Sequence, residues 1–171
     1  MTELPKPNND QDRTLISDVE GHGWHVIKVP ELENSPGWAF SIGLHHSFGH
    51  PEVVVFGLPD EMAHQMINSL GDDIREGAKF EPDTLVTGVL EDYSCSIKTV
   101  DPYWYPPFLG YATWFYQGLD FPVVQCLWPD REGNLPTEAA FDTNLIPFQP
   151  LLWHADPKAA RAEKLLATLD D

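Results

Sequence analysis

Five of the seven histidines fall between positions 22 and 50, namely His22, His25, His45, His46 and His50. Imidazole is a common ligand of zinc, nickel and iron, and three rings from separate elements can hold such an ion while leaving a position open for water. His45 and His50, on either side of the segment before Pro51, are the pair such a site would use, with Glu52 two residues on as a carboxylate for the metal or for acid–base exchange. The spacing does not demand this chemistry. The interval between His45 and His50 lacks the helical i, i+4 register of H-E-x-x-H, and adjacent His45 and His46 point to opposite sides of a continuing strand. In the competing reading His45 and His50 shape the loop through hydrogen bonds, and His22, His25 and His46 are partly exposed. No cofactor is expected, a His-bound divalent metal being the alternative.

The second chemical feature is aromatic. Eight of the fourteen residues from Tyr103 to Tyr116 are Phe, Trp or Tyr. Aromatics with polar tips suit a recognition surface, a wall for a flat cofactor, or a packed core whose hydroxyls reach water. Pro106-Pro107 exclude a helix until about Phe108. Tyr103, Trp104 and Tyr105, which precede them, are therefore expected to be exposed and to contact a partner. Cys95 and Cys126 lie in apolar runs and read as buried thiols. There is no P-loop, no G-x-G-x-x-G, no G-x-S-x-G, no C-x-x-C and no calcium-loop spacing.

The elements that must position these residues follow from periodicity. Asp10 to Gly21 carries Leu15, Ile16 and Val19 at helical spacing, and Trp24 to Val29 reads as a strand stopped by Pro30. From Trp38 the chain alternates, with Trp38, Phe40, Ile42 and Leu44 on one face and Ala39, Ser41 and Gly43 on the other. Glu52 to Leu58 is a continuous apolar run, as in a strand buried on both faces. Pro59-Asp60-Glu61 opens a helix with the stripe Met62, Met66, Ile67, Leu70 and Ile74, ending near Gly77. Thr84–Leu90 and Tyr93–Val100 form a hairpin, and Phe121–Trp128 is a further strand. Asp130 to Gly133 is a turn with solvated charges, 134–155 is irregular, and Lys158–Leu169 is a short helix holding Lys158, Arg161 and Lys164. The fold class is α+β, a single domain with a mainly antiparallel sheet and two or three packed helices. Residues 1–9 form a flexible leader, 10–155 the domain and 156–171 a C-terminal helix.

Two strings resemble a known family. Pro36-Gly37-Trp38-Ala39-Phe40-Ser41-Ile42-Gly43-Leu44 followed by Gly49-His50-Pro51-Glu52-Val53-Val54-Val55-Phe56-Gly57-Leu58-Pro59 resembles the first shared block of DUF4262, a bacterial family of unknown function. Val124-Gln125-Cys126-Leu127-Trp128-Pro129-Asp130, with Gly133, is similar to its second block. The resemblance covers about residues 12–152 and departs at Pro136-Thr137, where the family commonly has an aromatic after the proline. It implies a shared fold and no particular activity.

The charge bounds the partners. With 27 Asp plus Glu against 10 Lys plus Arg, the formal charge is −17. Phosphate backbones and anionic lipids need clustered cations, so neither nucleic acid nor a membrane surface is an expected partner. At 42% hydrophobic and 12% aromatic residues the chain is nevertheless built to fold. No N-terminal apolar run and no run of about 20 apolar residues is present, so a cytoplasmic protein is expected. The acids stand in short groups such as Asp72/Asp73/Glu76 and Glu91/Asp92. Two functions follow. One is an acidic binding domain that holds a basic protein, as an immunity protein holds a toxin. The other is a small-molecule or metal-binding enzyme whose cleft is lined by Trp38, the histidines and Tyr103 to Trp114. Binding is favoured, because no nucleophile–base or metal motif can be written with its proper spacing.

Overall fold

In the computed structural model, which describes residues 3–33 and 35–169, helix α1 spans Asp10–His22. The Asn9 side chain accepts from the Asp12 amide at 2.8 Å, satisfying one of the free N–H groups at the helix start. Gly23, with φ 110°, ends the helix and returns its own N–H to Asp18 and Val19. Strands β1 (His25–Val29) and β2 (Trp38–Ile42) pair antiparallel, and α2 (Leu44–Phe48) separates β2 from β3 (Glu52–Phe56). Helix α3 (Asp60–Arg75) follows, then the hairpin β4 (Thr84–Leu90) and β5 (Tyr93–Thr99). Short helices α4 (Tyr105–Phe108) and α5 (Gly110–Tyr116), strand β6 (Val123–Leu127), a 3-10 helix over Thr143–Phe148 and helix α6 (Glu163–Leu169) complete the order.

Among the described residues six strands form one mixed sheet in the order β1-β2-β3-β6-β5-β4. Only β3 and β6 run parallel, pairing Glu52 with Val123. The architecture is α+β. Side-chain alternation explains the apolar runs of the central strands, since each face has its own cover. Trp38, Phe40 and Ile42 of β2 and Val54 and Phe56 of β3 face α1 and the aromatic segment Trp104 to Tyr116. Ala39, Val53 and Val55 face α3, which buries Ala63, Met66, Ile67, Leu70 and Ile74. The room opposite the large residues of β2 is taken up by α3 and by the Glu52 carboxyl, which bonds Ser41. Cys95 and Cys126 are free, buried thiols on the α3 side.

The structure departs from the sequence reading at bends. Strand β2 stops at Ile42, because Gly43 at φ 120° swings the chain into α2. A side chain at Gly43 would come within 2.6 Å of the Gly23 carbonyl. Leu44 therefore packs on the α3 side with Ala39 instead of beside Trp38, and His45 and His46 sit on a helix instead of opposite faces of a strand. Pro106 and Pro107 lie inside the first turn of α4, where their missing N–H groups have no helical partner, so the helix begins three residues earlier than expected. Met62 is exposed and Ala63 takes its place in the α3 stripe. The last helix starts at Glu163 because Lys158 to Arg161 form turns, Arg161 at φ 56°. Asp130 is buried instead of solvated, accepting from the amides of Glu132, Asn134 and Asp142 at 3.0, 2.8 and 2.9 Å. Within the expected leader, Leu4 packs on the core, and Asn8 donates to Asp12 at 2.8 Å. Residues 1 and 2 of that leader, and 170 and 171 of the C-terminal helix, lie outside the described residues. Among the described residues no helix is long and apolar enough to cross a membrane.

Candidate functional site

Glu52 opens β3 at the centre of the sheet and is fully shielded from solvent. Its Oε1 accepts from the Ser41 hydroxyl at 2.7 Å and the Leu44 amide at 3.1 Å. Oε2 accepts from the amides of Gly43 and His45 at 2.9 and 3.2 Å and from the Tyr116 hydroxyl. Both hydroxyl oxygens are themselves engaged, Ser41 by the Val53 amide at 3.0 Å and Tyr116 by the His46 amide at 3.2 Å. Their protons are thus directed at the carboxylate. Glu52 supplies the cap that α2, entered from Gly43, has no side chain of its own to make. Burial pushes the Glu52 carboxyl above the ordinary range, while hydrogen bonds from Tyr116, Ser41, Gly43 and His45 pull it down. Burial and the Glu52 charge push the Tyr116 hydroxyl up. The group is an internal anchor, closed to any substrate.

His45 rests edge-on against Tyr116 and His46 against Phe115, with ring centroids 5.6 and 6.0 Å apart. The buried Nδ1 of each has no hydrogen-bond partner among the described residues. Burial lowers the His45 pKa, Asp120 opposing and His46 adding to it. At His50, Nδ1 donates to the Pro51 carbonyl at 2.8 Å and Nε2 accepts from the Phe80 amide at 3.0 Å. Those two bonds fix a neutral tautomer and use both nitrogens. Burial likewise lowers the His50 pKa, against the Pro51 bond and Glu81. His45 and His50 open onto different depressions, the first shared with Asp120, the second with Phe80. A third, unforeseen gathering is His22, His25 and His64 around a depression beside Asp18, where His25 Nδ1 lies 2.6 Å from Asp18 Oδ2. His64 comes from α3, so no local spacing announces it. Among the described residues no three His, Cys, Asp or Glu side chains are placed to share a metal ion.

The aromatic segment corrects the expected recognition surface. Tyr103 is 55% exposed, whereas Trp104 and Tyr105 are buried. A 3-10 turn over Pro102–Trp104 folds the chain back onto the sheet. There Trp104 Nε1 donates to the His154 carbonyl at 2.7 Å and the Tyr105 hydroxyl to that of Phe121 at 2.8 Å. Burial pushes the Tyr105 hydroxyl up to about 12, opposed by a Val123 backbone bond and helped by Asp101. Trp38 packs on Phe56 and Phe108 and donates to the Phe108 carbonyl at 2.8 Å. The space imagined as a cleft between Trp38 and this segment is packed core.

An apolar concavity lies elsewhere, a groove of about 470 Å³. Its lining combines apolar Leu32, Pro36, Ile146, Pro147, Phe148 and Leu165 with charged Glu31, Glu33, Arg161, Glu163 and Lys164. Leu32 and Phe148 are 65% and 39% exposed. Backbone bonds of 3.1 and 3.2 Å between Leu32 and Ser35 close the turn that presents Leu32. The 3-10 helix approaches so closely that a side chain at Gly57 would meet the Phe148 carbonyl at 2.5 Å. Arg161 is tethered by a 3.4 Å bond to the Pro136 carbonyl. The lining joins segments more than a hundred residues apart, one of them, Ile146 to Phe148, from a stretch without clean periodicity, so sequence reasoning missed it.

Residues 18–142 match the family model DUF4262, described as a domain of unknown function. Neither a curated protein nor a solved structure matches the chain. The match takes in all six strands and the Leu32 side of the groove, while Ile146–Phe148 and Arg161–Leu165 lie beyond it.

Proposed function

The chain belongs to the DUF4262 family, and from that premise we propose that it is a non-catalytic binding domain that seats an apolar, basic-flanked segment of a partner protein in the Leu32–Phe148 groove. The observation that carries this reading is the groove itself. Leu32 and Phe148, two of the large apolar side chains left exposed among the described residues, line one concavity of suitable size. Burying one or two apolar side chains there contributes about 1.5–3 kcal/mol each, the durable part of an interface. In the lining Glu31, Glu33 and Glu163 outnumber Arg161 and Lys164, and with a net charge of −17 they favour a basic partner and speed its approach. The arrangement suits an immunity-like role, in which a basic toxin-type protein is held. The engagement of both His50 nitrogens and the enclosure of Glu52 support binding over chemistry. Free Cys95 and Cys126 suit a reducing, cytoplasmic setting.

The test uses two labelled peptides of equal positive charge, one with a Leu-Phe centre between lysines and one with serines at the centre, followed by fluorescence anisotropy. The Leu-Phe peptide should bind, its association should slow as NaCl rises, and Leu32→Asp or Phe148→Asp should abolish binding in protein that still melts in one cooperative transition. Equal binding of the serine peptide, or binding unaffected by both substitutions, overturns the proposal.

A further inference from the structure

We infer that the partner segment held in the groove runs on as a strand along the outer edge of β1, lengthening the sheet by one strand. This rests on the binding reading above and adds the form in which the partner is bound. β1 stands at one end of the strand order, and among the described residues the backbone of His25–Val29 bonds only to β2. Its register with β2 is unbroken, from His25 opposite Ile42 to Val29 opposite Trp38. On the outer side, the N–H and C=O groups of every second residue are therefore left without a strand to meet. Exposure agrees with this, since each residue of β1 is half-buried or exposed while every residue of β2 is buried. The opposite edge is less suited. β4 breaks register with β5 between Val86 and Leu90, with Gly88 at φ 86°, and an irregularity of that kind turns an edge away from further pairing.

The groove and this edge adjoin. The groove lining begins at Glu31, two residues after Val29, a chain length of about 7 Å at most. An extended segment seated in the groove thus reaches the end of β1 within about two or three residues. Along the strand, His25, Val26 and Lys28 line a depression with His64 and Asn68 of α3, which gives side chains of the added strand a place beside the sheet. Lys28 opposes a basic strand, but its ammonium lies 3.6 Å from the Glu61 carboxylate, and Glu31 and Glu33 follow at the groove. A second copy of the chain is a poor occupant, because two molecules of charge −17 would have to meet. A basic partner is attracted instead. Main-chain bonds to β1 would hold the segment whatever its side chains, and the groove would select the apolar ones.

Two labelled peptides test the inference, Lys-Leu-Phe-Lys with a Thr-Val-Thr-Val-Thr tail after it in one and before it in the other. With the tighter binder in excess, amide hydrogen exchange read by NMR should slow about tenfold or more at alternate residues of His25–Val29, those that exchange fastest in the unbound protein. N-methylation of one alternate set of tail residues should weaken binding by about tenfold, the scale of lost backbone bonds, and methylation of the other set should leave it within about twofold. Binding that requires Leu32 and Phe148 but leaves exchange along β1 unchanged, or protects β4 instead, overturns the edge inference and leaves the groove reading standing. A protein that is dimeric without peptide and already protected along the outer side of β1 also overturns it. No binding of either peptide overturns both.

Discussion

Glu52 was legible as a carboxylate near histidines, and its role was not. Two residues from His50 in sequence, it invites an acid–base pairing, yet its five donors come from Ser41, the start of α2 and Tyr116. What the sequence hides is the bend at Gly43, which turns three amides toward one point. Placing a carboxylate there offsets the cost of burying it by satisfying N–H groups that would otherwise be orphaned. Glu52→Gln exchanges one acceptor oxygen for an NH2 group. Whichever way the amide is turned, that group meets at least one backbone N–H, from Leu44 or from Gly43 and His45. We expect a loss of about 2–4 kcal/mol in urea unfolding, the range for donors stranded around a buried charged group. A loss near zero would mean that the side chain is carried as the neutral acid, and would sink the carboxylate account.

Among the elements, those with clean periodicity were legible and those set by bends or by tertiary contact were not. The stripe Met66, Ile67, Leu70 and Ile74 identifies α3 and its buried face, the run in β3 foretells a strand covered on both sides, and Phe121 to Trp128 foretells the strand β6. The aromatic segment misled because prolines suggest an exposed, extended chain, whereas first-turn prolines let α4 fold Tyr105 under the sheet. Within α3, Gly71 looks like a weak point of the helix, since glycine costs about 1 kcal/mol against alanine there. The packing reverses that expectation. A Cβ at Gly71 would lie 2.5 and 2.6 Å from Cζ2 and Cε2 of the Trp24 indole. The ring is held by its bond to Asn68 at 2.9 Å and covered by the Arg75 guanidinium 5.1 Å from its centroid. Gly71→Ala should therefore destabilise by about 1–2 kcal/mol net, because overpacking of about 1–3 kcal/mol or more outweighs the gain in propensity. Chemical denaturation reads the sign, and a more stable variant would show that the indole can move aside.

For the whole molecule, composition made it legible that the chain folds, because 42% hydrophobic residues suffice to cover both faces of a sheet. It could not show where the apolar surface would be left open. That depends on the Glu31–Pro36 turn, the 3-10 helix and the start of α6 arriving together, which long-range packing alone decides. The charge has an energetic consequence of its own. The observed ion pairs engage few of the 27 acids and are largely at the surface, where such pairs contribute about 0–1 kcal/mol each. Most of the negative charge is thus compensated by nothing but solvent ions, and the compact state bears more self-repulsion than the unfolded chain. The screening length shortens from about 30 Å at 0.01 M salt to about 8 Å at 0.15 M. Across that range the melting temperature should rise, by about 2–4 °C for each kcal/mol of repulsion relieved. A melting temperature that is flat or falls with NaCl would mean that the acids, set in short groups at turns and helix ends, are already far enough apart to ignore one another. The partner's cations would then have only the acids lining the groove to recognise.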